Sequence, residues 1–147
     1  MRTYLQTDPD SCFATCLACI LELLPEDVPN FRRLQDENPS YDMIMEADKW
    51  LRKVHRKRFV SIELYEDKGA RNTKQIVMNR LFHANIKELV ILSGRSPRDM
   101  PDGSARWHCV IGRADCWGFE IVHDPFPGGG GLIGNPYGVK WIVPLDG

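Results

Sequence analysis

A chain of 147 residues carrying a net charge of −1 is long enough for one domain that buries roughly two-thirds of its unfolded surface. It therefore needs neither a metal nor a disulfide to fold. The balance of 19 Lys and Arg against 20 Asp and Glu argues against a general affinity for nucleic acid or anionic lipid, which calls for a basic excess. No apolar run approaches the roughly 18 residues that cross a membrane, and residues 1–10 lack the apolar core of a signal peptide. The expectation is one domain over residues 1–147, cytoplasmic, with its five cysteines as reduced thiols.

Taken in chain order, Asp10 and Ser11 offer helix-capping oxygens. An apolar run over 12–24 follows, with Cys12, Cys16, Cys19, Ile20 and Leu23 at helical spacing and Pro25 as its stop. Residues 25–39 hold three prolines and many charges and read as a loop. Ile44, Ala47, Trp50, Leu51 and Val54 mark an amphipathic helix over 41–54, and 56–64 reads as a strand. A helix is expected over 72–81 and a short buried strand over 89–92. A Gly, Pro, Ser and Arg-rich loop covers 93–106. Two β runs, 107–113 and 117–123, are joined by a short turn. A glycine-rich loop over 124–136 leads to a last strand at 139–145. Helices first and antiparallel strands after them make an α+β layout, not alternating βαβ.

Cys12 is singled out by position. The start of a helix carries partial positive charge, which favours thiolate over thiol, and thiolate is the reactive form. Cys16 and Cys19 lie one and two turns deeper and read as core residues. Gln6, six residues before Cys12, carries an amide able to donate to an oxyanion.

A thiolate nucleophile also needs a base. His55 sits in the basic cluster 53–58, and His83 has no acidic neighbour in sequence. His108 opens the first β run, and the second run ends in His123-Asp124-Pro125. If the two runs pair as a hairpin, Asp124 comes beside His108 and can accept its ring N–H. His123 is the rival base, but its adjacency to Asp124 sends the two side chains to opposite faces of a strand. His108 is therefore preferred.

Gln6, Cys12 at a helix start, His108 opening a strand and Asp124-Pro125 after the next strand together resemble the bacteriocin-processing (double-glycine leader) peptidases of the papain-like cysteine peptidase superfamily. The Asp-Cys start of those peptidases is one residue longer here, as Asp10-Ser11-Cys12; papain itself has asparagine as third member. Residues 11–31 and 123–132 also look similar to small stand-alone phage and bacterial proteins. The resemblance implies a helical lobe carrying Cys12 at a helix start, packed on an antiparallel sheet. It implies catalysis by Cys12, His108, Asp124 and Gln6 on a peptide or protein substrate. Phe13 stands where a glycine commonly follows the nucleophile, which implies a narrowed cleft or a reshaped substrate entry. The loops 94–106 and 126–136 are expected to flank the site, as lids or substrate contacts or as plain connectors.

Three other readings were weighed. Cys12, Cys16 and Cys19 have the C-x3-C-x2-C spacing of iron–sulfur radical enzymes, but the run is apolar and helical, and no glycine-rich cofactor segment follows. Zinc lacks paired C-x2-C elements. No cofactor and no metal are expected. A non-catalytic binding module on a papain-like scaffold is the third reading. Within the catalytic one, the sequence does not choose among peptide hydrolysis, cleavage of another amide, deamidation and acyl transfer.

Overall fold

The structure is a computed structural model that describes residues 1–63, 89–114 and 119–146. The expected helix over 72–81, His83, Cys116 and the start of the 117–123 run lie outside the described residues. Helix α1 spans Cys12–Leu21, α2 Phe31–Glu37 and α3 Met43–Trp50. Strands β1 Lys57–Glu63, β2 Val90–Arg95, β3 Trp107–Ala114, β4 Phe119–His123 and β5 Ile133–Pro144 follow in that order. The chain is α+β, helices first and an antiparallel sheet after them, with strand order β1-β5-β2-β3-β4. Among the described residues, no helix is long and apolar enough to cross a membrane.

The chain forms two compact units. One comprises Met1–Val60, Pro125–Gly129 and Ile142–Gly147; the other comprises Ser61–Asp124 and Gly130–Trp141. In the first, α1 ends earlier than the expected residue 24. Glu22 adopts a left-handed backbone, φ 57°, and closes the helix with its N–H on the Ala18 and Cys19 carbonyls. The stop is thus set by that αL residue, three positions before Pro25. Residues 25–39 are not a plain loop: α2 lies inside them. Asn30 caps it by accepting the Arg33 N–H at 3.1 Å, a local cap that outweighs the high polarity of the stretch. Asp42 caps α3 by accepting from Ile44 and Met45, each at 3.0 Å. A π-helical turn, Leu51–His55, then carries the chain to β1.

Phe13 is 2% exposed and meets Phe31 edge-on at 6.3 Å and Phe59 at 6.1 Å. It is a core anchor of this unit. A phenylalanine at this place welds α1 to α2 and β1 by burying a large ring. Leu17, Ala47 and Leu51 of the same unit are fully buried. Asp48 adds a polar tie, accepting the Phe59 N–H at 2.9 Å.

In the second unit, β2 pairs antiparallel with β3 from Val90↔Gly112 to Arg95↔Trp107, and with β5 at Leu92↔Val139. Directly opposed residues share a face of the sheet. Leu92, Val110 and Val139 therefore meet on one face, and with Val90 they form a buried cluster against Phe119, Leu132 and Trp141. Strand β2 runs to Arg95, three residues beyond the expected strand, and β5 begins at Ile133, inside the expected glycine-rich loop. Both extensions come from ladder pairing, Arg95 with Trp107 on one side and Ile133 on the other. That pairing gives residues of loop-like composition partners for their backbone groups.

Candidate functional site

Two groups of candidate residues are present, one in each unit. In the first unit Cys12 is the first residue of α1, with Ser11 at the N-cap. The expected side-chain cap does not form. Ser11 Oγ instead donates to the Asp8 carbonyl at 3.0 Å and accepts the Asp8 N–H at 3.3 Å. Asp10 also turns away from the helix end. Its carboxylate accepts from Asn30 Nδ2 at 3.3 Å and Arg33 Nη2 at 3.4 Å. Neither oxygen is seen to cap the end of α1 that Cys12 occupies.

Cys12 is half-buried, whereas Cys16 and Cys19 are 0% exposed. Cys19 Sγ accepts the Tyr4 N–H at 3.3 Å. Burial pushes the Cys19 thiol above its ordinary pKa, and the Tyr4 hydrogen bond pulls it partly back. These two cysteines are core residues, as their helical spacing predicts.

Gln6 is 5% exposed. Its backbone N–H donates to the Pro125 carbonyl at 2.7 Å and its side-chain Nε2 to the Asp8 carbonyl at 2.9 Å. That uses one of the two amide hydrogens and leaves the other for a second acceptor. The Gln6 Oε1 is buried with no hydrogen-bond partner among the described residues. Asp8 is the hub of this loop: its carbonyl accepts from Gln6 Nε2, Ser11 N and Ser11 Oγ, and its carboxylate pairs with Arg33 at 3.3 Å. Asp10, then Asp8, raise the Arg33 guanidinium above its ordinary pKa. Sequence reasoning missed Arg33 because its partners lie 23 and 25 residues away along the chain. A cavity of about 350 Å³ also opens in this unit, lined in part by Ser11, Ala14 and Thr15 of α1. At about 100° per residue, Ser11 and Ala14 lie roughly a quarter-turn or more round from Cys12, and Thr15 about 60° from it.

In the second unit His108 lies second in β3 and is 4% exposed. Strand β4 pairs antiparallel with β3 as a hairpin, and Ile111↔His123 is its last register pair, next to a bulge. The chain then passes to Asp124, whose Oδ1 stands 2.7 Å from His108 Nε2, with the carboxylate only 9% exposed. The structure thus brings His108 and Asp124 together. With its N–H at Nε2, the ring donates to the carboxylate. His123 stays on the β4 ladder opposite Ile111.

Asp124 has a second partner, which sequence reasoning missed. Its Oδ2 accepts the Gly131 backbone N–H at 2.8 Å. The four-glycine run 128–131 was the available signal, since a backbone with a left-handed turn was needed there. Such a pair can orient an imidazole and stabilise it when protonated; a half-buried thiol at a helix start can act as a nucleophile. No protein-family model and no curated protein matches the chain.

Proposed function

We propose that this chain is a thiol-dependent hydrolase of papain-like type, most simply a cysteine peptidase that cleaves a peptide or related amide through an acyl-enzyme. The observation that carries the reading is the buried His108–Asp124 pair, Nε2 to Oδ1 at 2.7 Å. A histidine that only filled space would not need a buried carboxylate held against it, because burying that charge costs unless it serves a partner. The position of Cys12 at the head of α1 supports the same reading.

In this mechanism the Cys12 thiolate, with His108 as imidazolium, attacks the acyl carbon. The second Gln6 Nε2 hydrogen and the Cys12 N–H stabilise the oxyanion. His108 gives its proton to the leaving amine, then takes one from water, which attacks the thioester and releases the acid. Asp124 holds the ring throughout. Deamidation, or acyl transfer with an amine in place of water, uses the same steps.

A second reading, a non-catalytic papain-like module, draws on Gln6. Its Nε2 is engaged with Asp8 and its Oε1 is buried without a partner among the described residues, as in a residue kept for loop structure.

Iodoacetamide labelling of the full chain across pH separates the two. The hydrolase reading expects Cys12 to alkylate first, at a pH well below 8, with His108→Ala moving that profile up towards that of an ordinary thiol. An unchanged profile in His108→Ala, or Cys12 titrating as an ordinary thiol, would overturn it.

A further inference from the structure

A carboxylate held by one oxygen can still turn about its terminal bond, which is a soft, broad torsion. Held by both, its plane is fixed. Asp124 is held by both: His108 Nε2 lies 2.7 Å from Oδ1, and the Gly131 N–H donates to Oδ2 at 2.8 Å. Gly131 has φ +67°, a left-handed conformation that glycine adopts without steric cost and most other residues do not. Space is not the constraint. A Cβ there would meet Ile121 Cδ1 at 3.1 Å, the movable end of a side chain.

We infer that Gly131 is a positioning residue for His108, acting through Asp124: its left-handed backbone aims an N–H that sets the plane of the carboxylate, and the carboxylate in turn sets the ring. Its catalytic consequence rests on the hydrolase reading; the hydrogen-bonded chain Gly131–Asp124–His108 does not.

The test uses the full chain with labelled histidine and follows the His108 Nε2–H proton by NMR. In a buried bond to a carboxylate this proton should resonate far downfield and exchange slowly with water. Asp124→Ala assigns the signal by removing it. Gly134 supplies the control, because it has φ +70° and, among the described residues, open space where a Cβ would stand. Gly134→Ala therefore imposes the same backbone strain without touching Asp124. The expected result is that the parent and Gly134→Ala keep the downfield proton while Gly131→Ala loses it to exchange. Gly131→Asn restores it, since asparagine tolerates left-handed angles; this second variant also serves if Gly131→Ala folds poorly.

Retention of the signal unchanged in Gly131→Ala, or its absence from the parent, overturns the inference. If the signal depends on Gly131 while Cys12 alkylation ignores His108, the positioning stands and the hydrolase reading fails. If both hold, Cys12 alkylation near neutral pH should slow several-fold in Gly131→Ala and not in Gly134→Ala.

Discussion

Asp124→Asn keeps the outline of the side chain and removes one of its two acceptors. The carboxylate accepts from His108 Nε2 and from the Gly131 N–H on separate oxygens. Asparagine has one oxygen and one NH2. If the oxygen faces His108, the NH2 meets the Gly131 N–H donor to donor. If the amide turns over, the NH2 faces Nε2, and the ring must adopt the other tautomer to accept it. The first arrangement strands the Gly131 N–H; the second keeps a hydrogen bond at each site but forces the ring proton onto Nδ1, which then needs an acceptor of its own. Stranding or misplacing a buried donor costs about 1–3 kcal/mol, so we expect a loss of about 2 kcal/mol. Asp124→Ala removes both acceptors, one from the Gly131 N–H and one from a histidine that is 4% exposed, and breaking a buried pair from one side costs about 3–5 kcal/mol. Urea unfolding measures both, with the midpoint falling and the m-value unchanged. Histidine nitrogen shifts report which asparagine arrangement forms. The reasoning is refuted if Asp124→Asn lies within about 0.5 kcal/mol of the parent, the ordinary range for a surface change. It is refuted equally if alanine is no worse than asparagine.

Gly112→Ala should destabilise by about 1–3 kcal/mol through overpacking, since a Cβ there would sit 2.5 Å from Leu92 Cδ1 and 2.9 Å from the Glu120 carbonyl; thermal unfolding checks it. Stability should fall as pH rises above 9.0, the ordinary value for the Cys19 thiol. The fold keeps this buried thiol neutral while the unfolded chain ionises it, so the contribution is complete below that pH and lost as pH climbs through the raised folded value. Cys19→Ala should flatten that part of the curve relative to the parent. Asp42→Ala removes the cap of α3 from Ile44 and Met45 and should cost about 1 kcal/mol in denaturant unfolding.

Much of the candidate site was legible in local spacing. The positions of Cys16 and Cys19, one and two turns deeper than Cys12 on a helical stripe, told that these two lie inside, because a 3.6-residue period repeats within a few turns; the burial of Cys109 on β3 was not told this way. The two β runs, 107–113 and 117–123, marked a hairpin, and the pairing of β3 with β4 carries Asp124 to His108. Capping was harder to read. Ser11 and Asp10 have the right chemistry for α1, yet each finds a different partner, Asp8 for one and Asn30 with Arg33 for the other. Helix α2 was hidden in a polar, proline-rich stretch, whose stabilising contact is Phe31 against Phe13 and Trp50.

The sequence by itself determined the α+β order of elements, the thiol at a helix start, and the histidine and aspartate within reach of one hairpin. These are short-range properties, written in periodicity and in residues at most a hairpin apart. Only the tertiary structure decided where polar side chains with several possible partners bond. It turned Ser11 and Asp10 away from the helix end, buried Phe13, and drew the Gly131 amide onto the second oxygen of Asp124. Each of those choices is a competition among partners brought close by folding, and local sequence does not hold the distances that settle it.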